Sequence, residues 1–491
     1  MTPERIAQIQ AQAERERNQH KQVTSGKKPR SLPAVSGLSN VRRMVPPPVD
    51  ERVQHSGQVR MAERLAEAYE GRLIHVHGLG WHYWDGARWA QDDMGTASRA
   101  VLDVIKTALH EAIDDDNKVL AMDARRCESD AGIRGTLAIA ASLLPFAATV
   151  RELDADPYLL NTISGTVDLR SMELRPHRPE DRITKVTRAR FNPDTPATKW
   201  DRFLEQVLPD IEVREFLQRT IGVALTGKVV EHVLPIAIGT GANGKSTAYK
   251  AILWAMGDYG ASGEPDLFMG RQGAHPTGEF DLLGRRLVVV SESEQGRGLD
   301  EAKVKRLSGG DPIKARRMRM DFVEFEPSHL CLLITNHLPE VSGDDPAIWR
   351  RLRVVPFNVV VPPEEQDAGL DEALQAEADA VLAWAIRGWR DYQARGLDAP
   401  AAIVNATETY RTDSDAVGRF ISEQCYTGPA VKATAGQLFE AWQQWATREG
   451  VPETNKKAFG QALGRRGFTS TKSNGKVWWS GICLASEYGQ Q

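Results

Sequence analysis

The stretch Gly239–Ser246 constrains the fold more than any other part of the chain. It fits the pattern GxxxxGK[ST]; an apolar run (Val233–Ile238) precedes it and a segment rich in helix formers (Thr247–Met256) follows it. Glycines allow consecutive backbone N–H groups to curl around phosphate oxygens that a Cβ atom would keep away. The order strand, glycine-rich loop and helix therefore predicts a nucleotide-binding α/β core.

The residues of this loop have expected roles. Lys245 is expected to reach the β- and γ-phosphates, and the Ser246 hydroxyl is expected to bind Mg²⁺. The helix that follows points the positive end of its dipole at the nucleotide. The predicted nucleotide-contacting set is Gly239, Thr240, Gly241, Ala242, Asn243, Gly244, Lys245, Ser246 and Thr247.

Composition limits what else the chain can be. Its 491 residues suffice for about three domains. The net charge is −4, from 62 Lys and Arg against 66 Asp and Glu, so DNA binding has to rest on local basic patches. The four cysteines show no CxxC pairing, which disfavours a zinc ribbon and fits a reducing cytosol. Because no apolar stretch approaches the ~20 residues of a membrane span and no signal peptide is evident, we expect a cytoplasmic protein without membrane contact.

Two regions precede the loop. Residues 1–56 are rich in Lys, Arg, Gln and Ser, which predicts a flexible basic arm; a solvated tail is favoured over an arm that contacts DNA. From residue 57 helical and strand-like patterns alternate, which predicts a mixed α+β domain with a hairpin at Asp85–Gly86. Trp81, Trp84 and Trp89 of that hairpin could stack on bases, but aromatic residues in a small sheet are more often core.

Two further buried-strand patterns follow the loop. Arg286–Glu294 is an apolar run that ends in acids about 45 residues after the loop, which is typical of a second NTPase motif. A carboxylate there holds Mg²⁺ through water or polarises the attacking water. Cys331–Asn336 is another apolar run, and it ends in an amide. The Asn336 amide can hydrogen-bond the attacking water and the γ-phosphate, and so sense whether that phosphate is present.

Three arginines, Arg350, Arg351 and Arg353, precede the strand-like run Val354–Phe357. A planar guanidinium that one subunit offers to the γ-phosphate of its neighbour is the arginine-finger arrangement, which requires a ring. The alternative for any one of the three is a surface ion-pair cluster.

The segment between the acidic run and the Asn336 run is strongly basic. Lys303–Arg319 holds seven cations around a turn at Gly309–Asp311. A solvated charged face is the usual alternative for such a run. An insert between two catalytic strands projects from one face of the core, however, and in a ring it could line a central channel and track a phosphate backbone.

The last part of the chain reads as helix, helix and hairpin. Helical periodicity over Ala433–Arg448 and Asn455–Arg466 precedes a hairpin at Asn474–Gly475, which predicts a winged-helix-like domain. DNA contact is favoured over a role in ring assembly, because the second helix and the wing are basic. The predicted DNA contacts on the second helix are Lys456, Lys457, Arg465 and Arg466.

Together these elements resemble a superfamily 3 helicase of the phage/plasmid primase-helicase family. In the core the matching segments are Gly239–Thr247, Val290–Glu292, Lys305–Arg316, Thr335–Pro339 and Ile348–Arg351. Upstream, Gly80–Trp89 and Leu159–Leu169 resemble the helicase-associated N-terminal domain of that family. The likeness covers most of residues 60–360.

The resemblance implies an AAA+-like core, a hexameric ring, ATP with Mg²⁺, and translocation on single-stranded DNA, typically 3′→5′. The catalytic set that it implies is Lys245, Glu292, Asn336, and Arg350 or Arg351, with Ser246 and Glu292 at the metal. The family's DNA-contacting hairpin corresponds to Lys314, Arg316, Arg317 and Arg319. The chain departs from many members at the second motif, where Ser291 stands in place of an adjacent acid.

The expected organisation has five parts. They are a flexible basic arm (1–56), a helicase-associated N-terminal α+β domain (57–200), a helical segment leading into the core (201–230), a superfamily 3 ATPase domain (231–397) and a winged-helix-like domain (398–491). The stretch ahead of the helicase-associated region is too short for a polymerising domain. We therefore expect no primer synthesis from this chain, and a separate primase or other replication proteins as partners.

The leading hypothesis is an ATP-dependent helicase for single-stranded and forked DNA in the replication of a phage, plasmid or integrated element, in the host cytoplasm. The alternative is an origin-binding initiator or loader whose ATPase controls assembly. A P-loop kinase for a small metabolite is disfavoured, because it leaves Asn336 and the arginines without a role.

Overall fold

The computed structural model describes residues 55–269, 277–292, 297–318, 321–341, 345–450 and 455–487. The predicted basic arm lies outside these residues except for its last two. Arg319 also lies outside them, and of Glu292 only the main chain is described. The chain from Ser56 onward forms one compact unit.

The first part of this unit mixes helices with a small sheet in the strand order β3-β2-β1-β4. Its helices are α1 (Gly57–Tyr69), α2 (Thr96–Asp114), α3 (Lys118–Cys127) and α4 (Asp130–Ala140). Its strands are β1 (Leu73–Val76), β2 (Gly80–Trp84), β3 (Trp89–Gln91) and β4 (Ala147–Ala148). Trp89 is buried, and Trp81 and Trp84 pack against buried clusters, so the three tryptophans are core residues as expected.

A second small sheet and two helices lead into the core. The sheet has the order β5-β6-β7 and is antiparallel throughout. These elements are β5 (Leu159–Thr162), β6 (Gly165–Asp168), β7 (Glu173–Arg175), α5 (Thr198–Val207) and α6 (Ile211–Val223). Buried Arg286 ties this region to the core, because its guanidinium donates to the Leu159 carbonyl at 2.6 Å and lies 4.4 Å from the centre of the Tyr259 ring.

Five strands form the central sheet in the order β14-β8-β13-β10-β9; all are parallel, and the predicted α/β core is confirmed. The strands are β8 (Leu234–Ile238), β9 (Gly260–Ser262), β10 (Leu287–Glu292), β13 (Leu330–Thr335) and β14 (Leu352–Pro356). Their near-continuous apolar sequences fit burial on both faces of the sheet. Because the strands are parallel, the ends of β8, β13 and β10 meet at one edge, with Ile238 beside Thr335 and Thr335 beside Glu292.

The two faces of the sheet carry separate hydrophobic clusters, each lined by alternate residues of the strands. Helices α5 and α6 belong to the first cluster together with α7 (Lys245–Met256), α11 (Leu370–Ala376) and α12 (Ala378–Arg395). The second cluster includes α8 (Thr277–Phe280), α9 (Glu301–Leu307), α10 (Pro346–Trp349) and part of α13 (Ala401–Ser414).

Helices α6 and α12 touch at the level of their backbones. A Cβ atom on Gly222 would lie 2.2 Å from the main-chain nitrogen of Trp389, and one on Gly388 would lie 2.1 Å from the carbonyl oxygen of Gln218. No side chain fits at either position, so this pair of glycines fixes how closely the two helices pack.

Two smaller units complete the fold. A hairpin of β11 (Ile313–Ala315) and β12 (Val323–Phe325) projects from the segment between β10 and β13. The C-terminal unit has a three-stranded sheet in the order β15-β17-β16. Its elements are α14 (Ala416–Gln424), β15 (Cys425–Thr434), α15 (Ala435–Arg448), α16 (Lys456–Arg465), β16 (Thr469–Ser473) and β17 (Lys476–Leu484). Of the helices described, none is both long and apolar enough to cross a membrane.

Candidate functional site

The glycine-rich loop joins β8 to α7 and has the backbone that a phosphate cradle needs. Gly241, Ala242 and Gly244 have φ values of +110°, +49° and +76°, which only glycine adopts without strain. A Cβ atom on Gly239 would lie 2.4 Å from the Phe357 carbonyl oxygen. The glycines at the two ends of the motif are therefore required by the folded loop itself.

Lys245 is nearly fully buried at the first turn of α7, with 4% of its surface exposed. Its ammonium donates to the Gly239 carbonyl at 2.7 Å, to Asn243 Oδ1 at 3.0 Å and to Asn336 Oδ1 at 3.3 Å. All three acceptors are neutral. Burial lowers the pKa of Lys245, because the charged form loses hydration and gains no counter-ion. An anion that reached this ammonium would supply the missing charge.

Asn243 connects the loop to the neighbouring strand. Its side-chain amide accepts from Lys245 and donates to the Phe357 carbonyl at 3.2 Å, and the residue is 3% exposed. The sequence identified Asn243 only as a loop position, because its acceptor lies 114 residues further along the chain. Nothing in the local pattern indicates that contact.

The same edge of the sheet holds three further predicted positions, Asn336, Ser246 and Glu292. Asn336 follows the last residue of β13 and reaches Lys245, so the loop and the sensor position converge on one ammonium. Ser246 is exposed on the first turn of α7. The main chain of Glu292 ends β10 next to Thr335, one strand beyond the Asn336 strand. Carboxyl ends of parallel strands are where such sheets bind their ligands.

The residues at this edge fit a nucleoside triphosphate with Mg²⁺. A Cβ atom on Gly241 would meet no atom within 4 Å, so the loop is open at that position, and its buried cation has neutral partners alone. Mg²⁺ in such sites takes one or two protein oxygens and completes its shell with phosphates and water. Ser246 and Glu292 remain the predicted protein ligands. Within the described ranges no three His, Cys, Asp or Glu residues form a metal-binding group.

The predicted finger arginines lie at the other end of the strands, away from the glycine-rich loop. Arg350 and Arg351 directly precede β14, whose first residue is paired with the first residue of β8. The loop follows the other end of β8, roughly 13 Å away at 3.3 Å per residue. Arg351 is half-buried and donates to the Ala347 carbonyl at 2.8 Å, whereas Arg350 is exposed.

The predicted DNA-contacting cations lie on the β11–β12 hairpin. Lys314 is exposed on β11, and Arg316 and Arg317 are exposed in the turn. Arg317 also lies 4.9 Å from the centre of the Phe280 ring and donates to Gln91 Oε1 at 3.4 Å. Arg319 lies outside the described residues.

Sequence reasoning missed an exposed aromatic residue in this turn. Phe322 is 48% exposed, and its ring centre lies 4.6 Å from the Arg316 guanidinium and 5.6 Å from the Lys314 ammonium. Met318 in the same turn is 77% exposed. Large apolar residues in a basic hairpin turn are a signal that could have identified Phe322 and Met318, because solvation does not favour an apolar side chain there.

The predicted C-terminal contacts lie on α16, but they differ in environment. Lys456 and Lys457 are exposed at the start of the helix, and Arg465 is exposed at its end. Arg466 is partly buried, forms an ion pair with Asp415 and donates to the Ala462 carbonyl at 3.0 Å. Arg466 therefore joins α16 to the start of α14 in addition to any contact with DNA.

Two family models match the chain. One, described as "D5 N terminal like", matches residues 62–209. The other, described as a family of unknown function, matches residues 237–351, from the loop strand to the arginines.

The chain is also similar to proteins of large DNA viruses. It is 25% identical over 298 residues to a candidate helicase, L207/L206, of Acanthamoeba polyphaga mimivirus, which covers 56% of this chain and 31% of that protein. It is 24% identical over 290 residues to a candidate helicase, 022R, of Frog virus 3, which covers 55% and 30%. It is 22% identical over 347 residues to a candidate primase, C962R, of African swine fever virus, which covers 65% and 36%. The matches span about a third of each relative.

Among solved structures, the chain is similar to the apo C-terminal region of NrS-1. The identity is 13%, the TM-score is 0.40, and the match covers 60% of this chain and 78% of that one. A score this low supports no argument about mechanism. The D5-type N-terminal match and the viral relatives agree with each other: the chain is similar to D5-like primase-helicases over their helicase half and its associated N-terminal domain.

Proposed function

We propose that the chain is an ATP-dependent DNA helicase of superfamily 3, with an AAA+-like core that works in a hexameric ring. The observation that carries the proposal is the environment of the Lys245 ammonium. The loop and Asn336 both bind it through neutral oxygens, and it has no counter-ion among the described residues. The match to the D5-type N-terminal model and the candidate helicase names of the similar viral proteins support a role in DNA replication. The element that it serves is a phage, a plasmid or an integrated element, in the host cytoplasm.

ATP binding exchanges the partners of Lys245. The ammonium gives up Asn243 and Asn336 and takes oxygens of the β- and γ-phosphates, which are stronger acceptors because they are charged. Asn336 Oδ1 is then available to accept a hydrogen bond from the attacking water. Mg²⁺ would neutralise charge on the phosphates; Ser246 would hold it from the helix, and Glu292 would be its ligand or the general base.

The finger acts between subunits. Arg350 is exposed at the edge of the sheet opposite its own loop, which leaves it out of reach of its own nucleotide and available to a neighbour. Arg351 is held by its own helix through the Ala347 carbonyl. These environments favour Arg350 as the finger and Arg351 as the residue that fixes the local backbone.

The hairpin contacts single-stranded DNA. Lys314 and Arg316 supply charge for phosphates, and Phe322 between them supplies a ring on which a base can stack, at about 1–3 kcal/mol per stacked base. The C-terminal unit, with the order β15-β17-β16 beside α15 and α16, supports a winged-helix-like domain whose exposed Lys456 and Lys457 contact duplex DNA. A forked DNA can bind to both surfaces at once, with its single strand on the hairpin and its duplex on the C-terminal unit. A separate primase would supply primers.

The test of the shared active site is a mixing experiment. Lys245→Ala chains lack the loop lysine and Arg350→Ala chains lack the finger, so each alone is expected to show no ATP hydrolysis. Mixed rings contain some interfaces with an intact Lys245 and an intact Arg350, and hydrolysis should return at those interfaces. The control mixes Lys245→Ala chains with chains that carry both Lys245→Ala and Arg350→Ala. No interface in these rings contains an intact Lys245, so no hydrolysis should return.

Failure of recovery, in mixtures whose particle mass shows that the two chains assemble together, would contradict a finger in trans. Strand displacement from a forked duplex separates the helicase from the alternative initiator or loader. A helicase displaces the strand with ATP and does not with a non-hydrolysable analogue. A loader assembles with either nucleotide and displaces no strand.

A further inference from the structure

A cleft of about 1090 Å³ lies where the N-terminal sheet meets the core and the hairpin. Arg88 and Lys185 line it from the N-terminal side, and Arg285 and Arg317 line it from the core side. The nucleotide loop does not line it. The cleft is therefore a second concave surface, and cations from both sides of it face one another.

Lys185 is partly buried in this cleft. Its ammonium donates to the Thr184 hydroxyl at 3.0 Å, which is a neutral partner. Burial lowers the pKa of Lys185; the negative charge of Asp154 opposes this, and the three guanidiniums of the cleft add to it. A lysine placed among three guanidiniums costs folding free energy, because like charges repel and the ammonium loses hydration.

The two core arginines are also without a carboxylate. Arg285 donates to main-chain carbonyls, and burial lowers its pKa. Arg317 donates to the Gln91 side-chain oxygen and lies over the Phe280 ring. Within the described part of the chain, no carboxylate oxygen lies within the 4 Å of an ion pair from Lys185, Arg285 or Arg317.

The acids of the cleft are engaged elsewhere or exposed. Asp258 pairs with Arg88 and accepts from the Val186 main chain at 3.1 Å. Asp154 accepts from the Thr184 main chain at 2.8 Å and from its hydroxyl at 2.6 Å. The remaining lining acids are exposed to solvent; they are Asp93, Asp281, Glu324 and Glu326.

We propose that this cleft binds a phosphate group through Lys185, Arg285 and Arg317. Ammonium and guanidinium donors form short, charge-assisted hydrogen bonds with phosphate oxygens, and three of them around one cleft match one phosphate. The source that the structure favours is the backbone of a DNA strand held by the hairpin, because Arg317 belongs both to the hairpin turn and to the cleft. This source rests on the proposed function; a free nucleotide would supply the same group.

Acylation of lysines tests the site in the full-length chain. A lysine with a lowered pKa is more often neutral and so reacts readily with an acetylating reagent. We expect a 20-nucleotide single strand to slow acetylation of Lys185 about tenfold, as measured by mass spectrometry, because charge-assisted hydrogen bonds to phosphate keep the ammonium protonated. Lys250, whose side chain is 63% exposed on α7, is the matched control and should be unaffected.

The experiment uses the Lys245→Ala chain, so that ATP at the loop cannot influence Lys185. Separate arms contain single-stranded DNA, ATP and inorganic phosphate. Protection by DNA assigns the backbone as the source, and protection by ATP or phosphate alone assigns a free nucleotide. Equal acetylation in all arms overturns the site. Because no arm depends on hydrolysis, the phosphate site and the motor can fail independently.

A charge-removal variant gives a second, independent measurement. In the Lys185→Gln, Arg285→Gln chain we expect weaker binding of single-stranded DNA and a salt dependence whose logarithmic slope is smaller by about 0.7, the contribution of the one phosphate that the protein no longer neutralises. Arg134→Gln is the control, because Arg134 is an exposed cation that pairs within its own helix. Lys185→Arg retains the charge and should retain the slope.

Thermal unfolding shows whether the double variant is folded. A folded double variant with the slope and affinity of the unmodified chain overturns the proposal. If the double variant does not fold, the slope of the single variant Lys185→Gln decides, with an expected reduction of at most about 0.7, because the same single phosphate is involved.

Discussion

Lys245 and Arg219 are both buried cations on the same face of the core, and their partners differ in kind. Arg219, which is 2% exposed, reaches the Asp391 carboxylate at 2.9 Å and the carbonyls of Leu397 and Asp398 at 2.9 and 3.0 Å. Lys245, which is 4% exposed, has carbonyl and amide oxygens alone. The fold therefore supplies an anion to Arg219 and, among the described residues, none to Lys245, and we expect a bound ligand to supply the anion at Lys245.

The most severe test of this difference replaces Lys245 by Met, which keeps much of its volume and removes its charge. We expect ATP hydrolysis to fall at least about 10³-fold, because the charge that stabilises the transferring phosphate is gone. Thermal unfolding should occur at the same or a higher temperature, since a desolvated charge without a counter-ion has been removed. Retained hydrolysis would show that the loop is not the catalytic site.

The same substitution at Arg219 should lower the stability of the fold and leave ATP hydrolysis nearly unchanged. Arg219→Met is expected to lower the free energy of unfolding by about 3 kcal/mol, the lower end of the range for breaking a buried pair, because Asp391 keeps Arg395 as a partner. Denaturant titration measures this change. Rates of ATP hydrolysis per folded chain should stay close to those of the unmodified protein. A stable Arg219→Met chain would mean that burial and pairing do not identify structural cations here.

Asn336→Ala removes a neutral partner of Lys245 and the predicted sensor. We expect kcat to fall about 10²-fold, because the attacking water loses the group that orients it. The Kd for ATP should change little, since phosphate oxygens replace Asn336 at the ammonium. Single-turnover hydrolysis and nucleotide binding measure the two quantities. A large loss of ATP affinity with unchanged kcat would assign Asn336 to binding instead.

The smallest effect is a dependence of ATP affinity on pH. Burial lowers the pKa of Lys245 in the free protein, and bound phosphate raises it again, so ATP binding takes up a proton where the lysine is neutral. Affinity should therefore weaken as pH rises through the lowered pKa, by up to about tenfold per pH unit. Calorimetry in two buffers of different ionisation enthalpy detects the proton. Lys245→Arg keeps its charge, and a similar pH dependence in that variant would exclude Lys245 as the origin.

Lys245 could be predicted from the sequence, and Arg219 could not. The motif predicted Lys245 and its loop, because the glycines and the lysine are neighbours in the chain. Apolar runs of strand length predicted three of the buried strands, whereas their parallel direction became known only from the structure. Arg219 carried no signal, since its acceptors lie more than 170 residues away and belong to another helix. The contact of Asn243 with the Phe357 carbonyl and the guanidiniums that surround Lys185 escaped for the same physical reason, because tertiary packing brings these groups together.

The contact of Gly222 with Gly388 has a practical consequence for cutting the chain. A fragment that begins at residue 231, where the motif pattern suggests that the ATPase starts, loses α5 and α6 and exposes the face of α12 that they cover. The exposed face is apolar, and at Gly388 it has a gap that the backbone of α6 normally fills. Such a fragment is therefore prone to self-association in solution. The smallest soluble piece of the motor is therefore expected to begin before Thr198, at the start of α5.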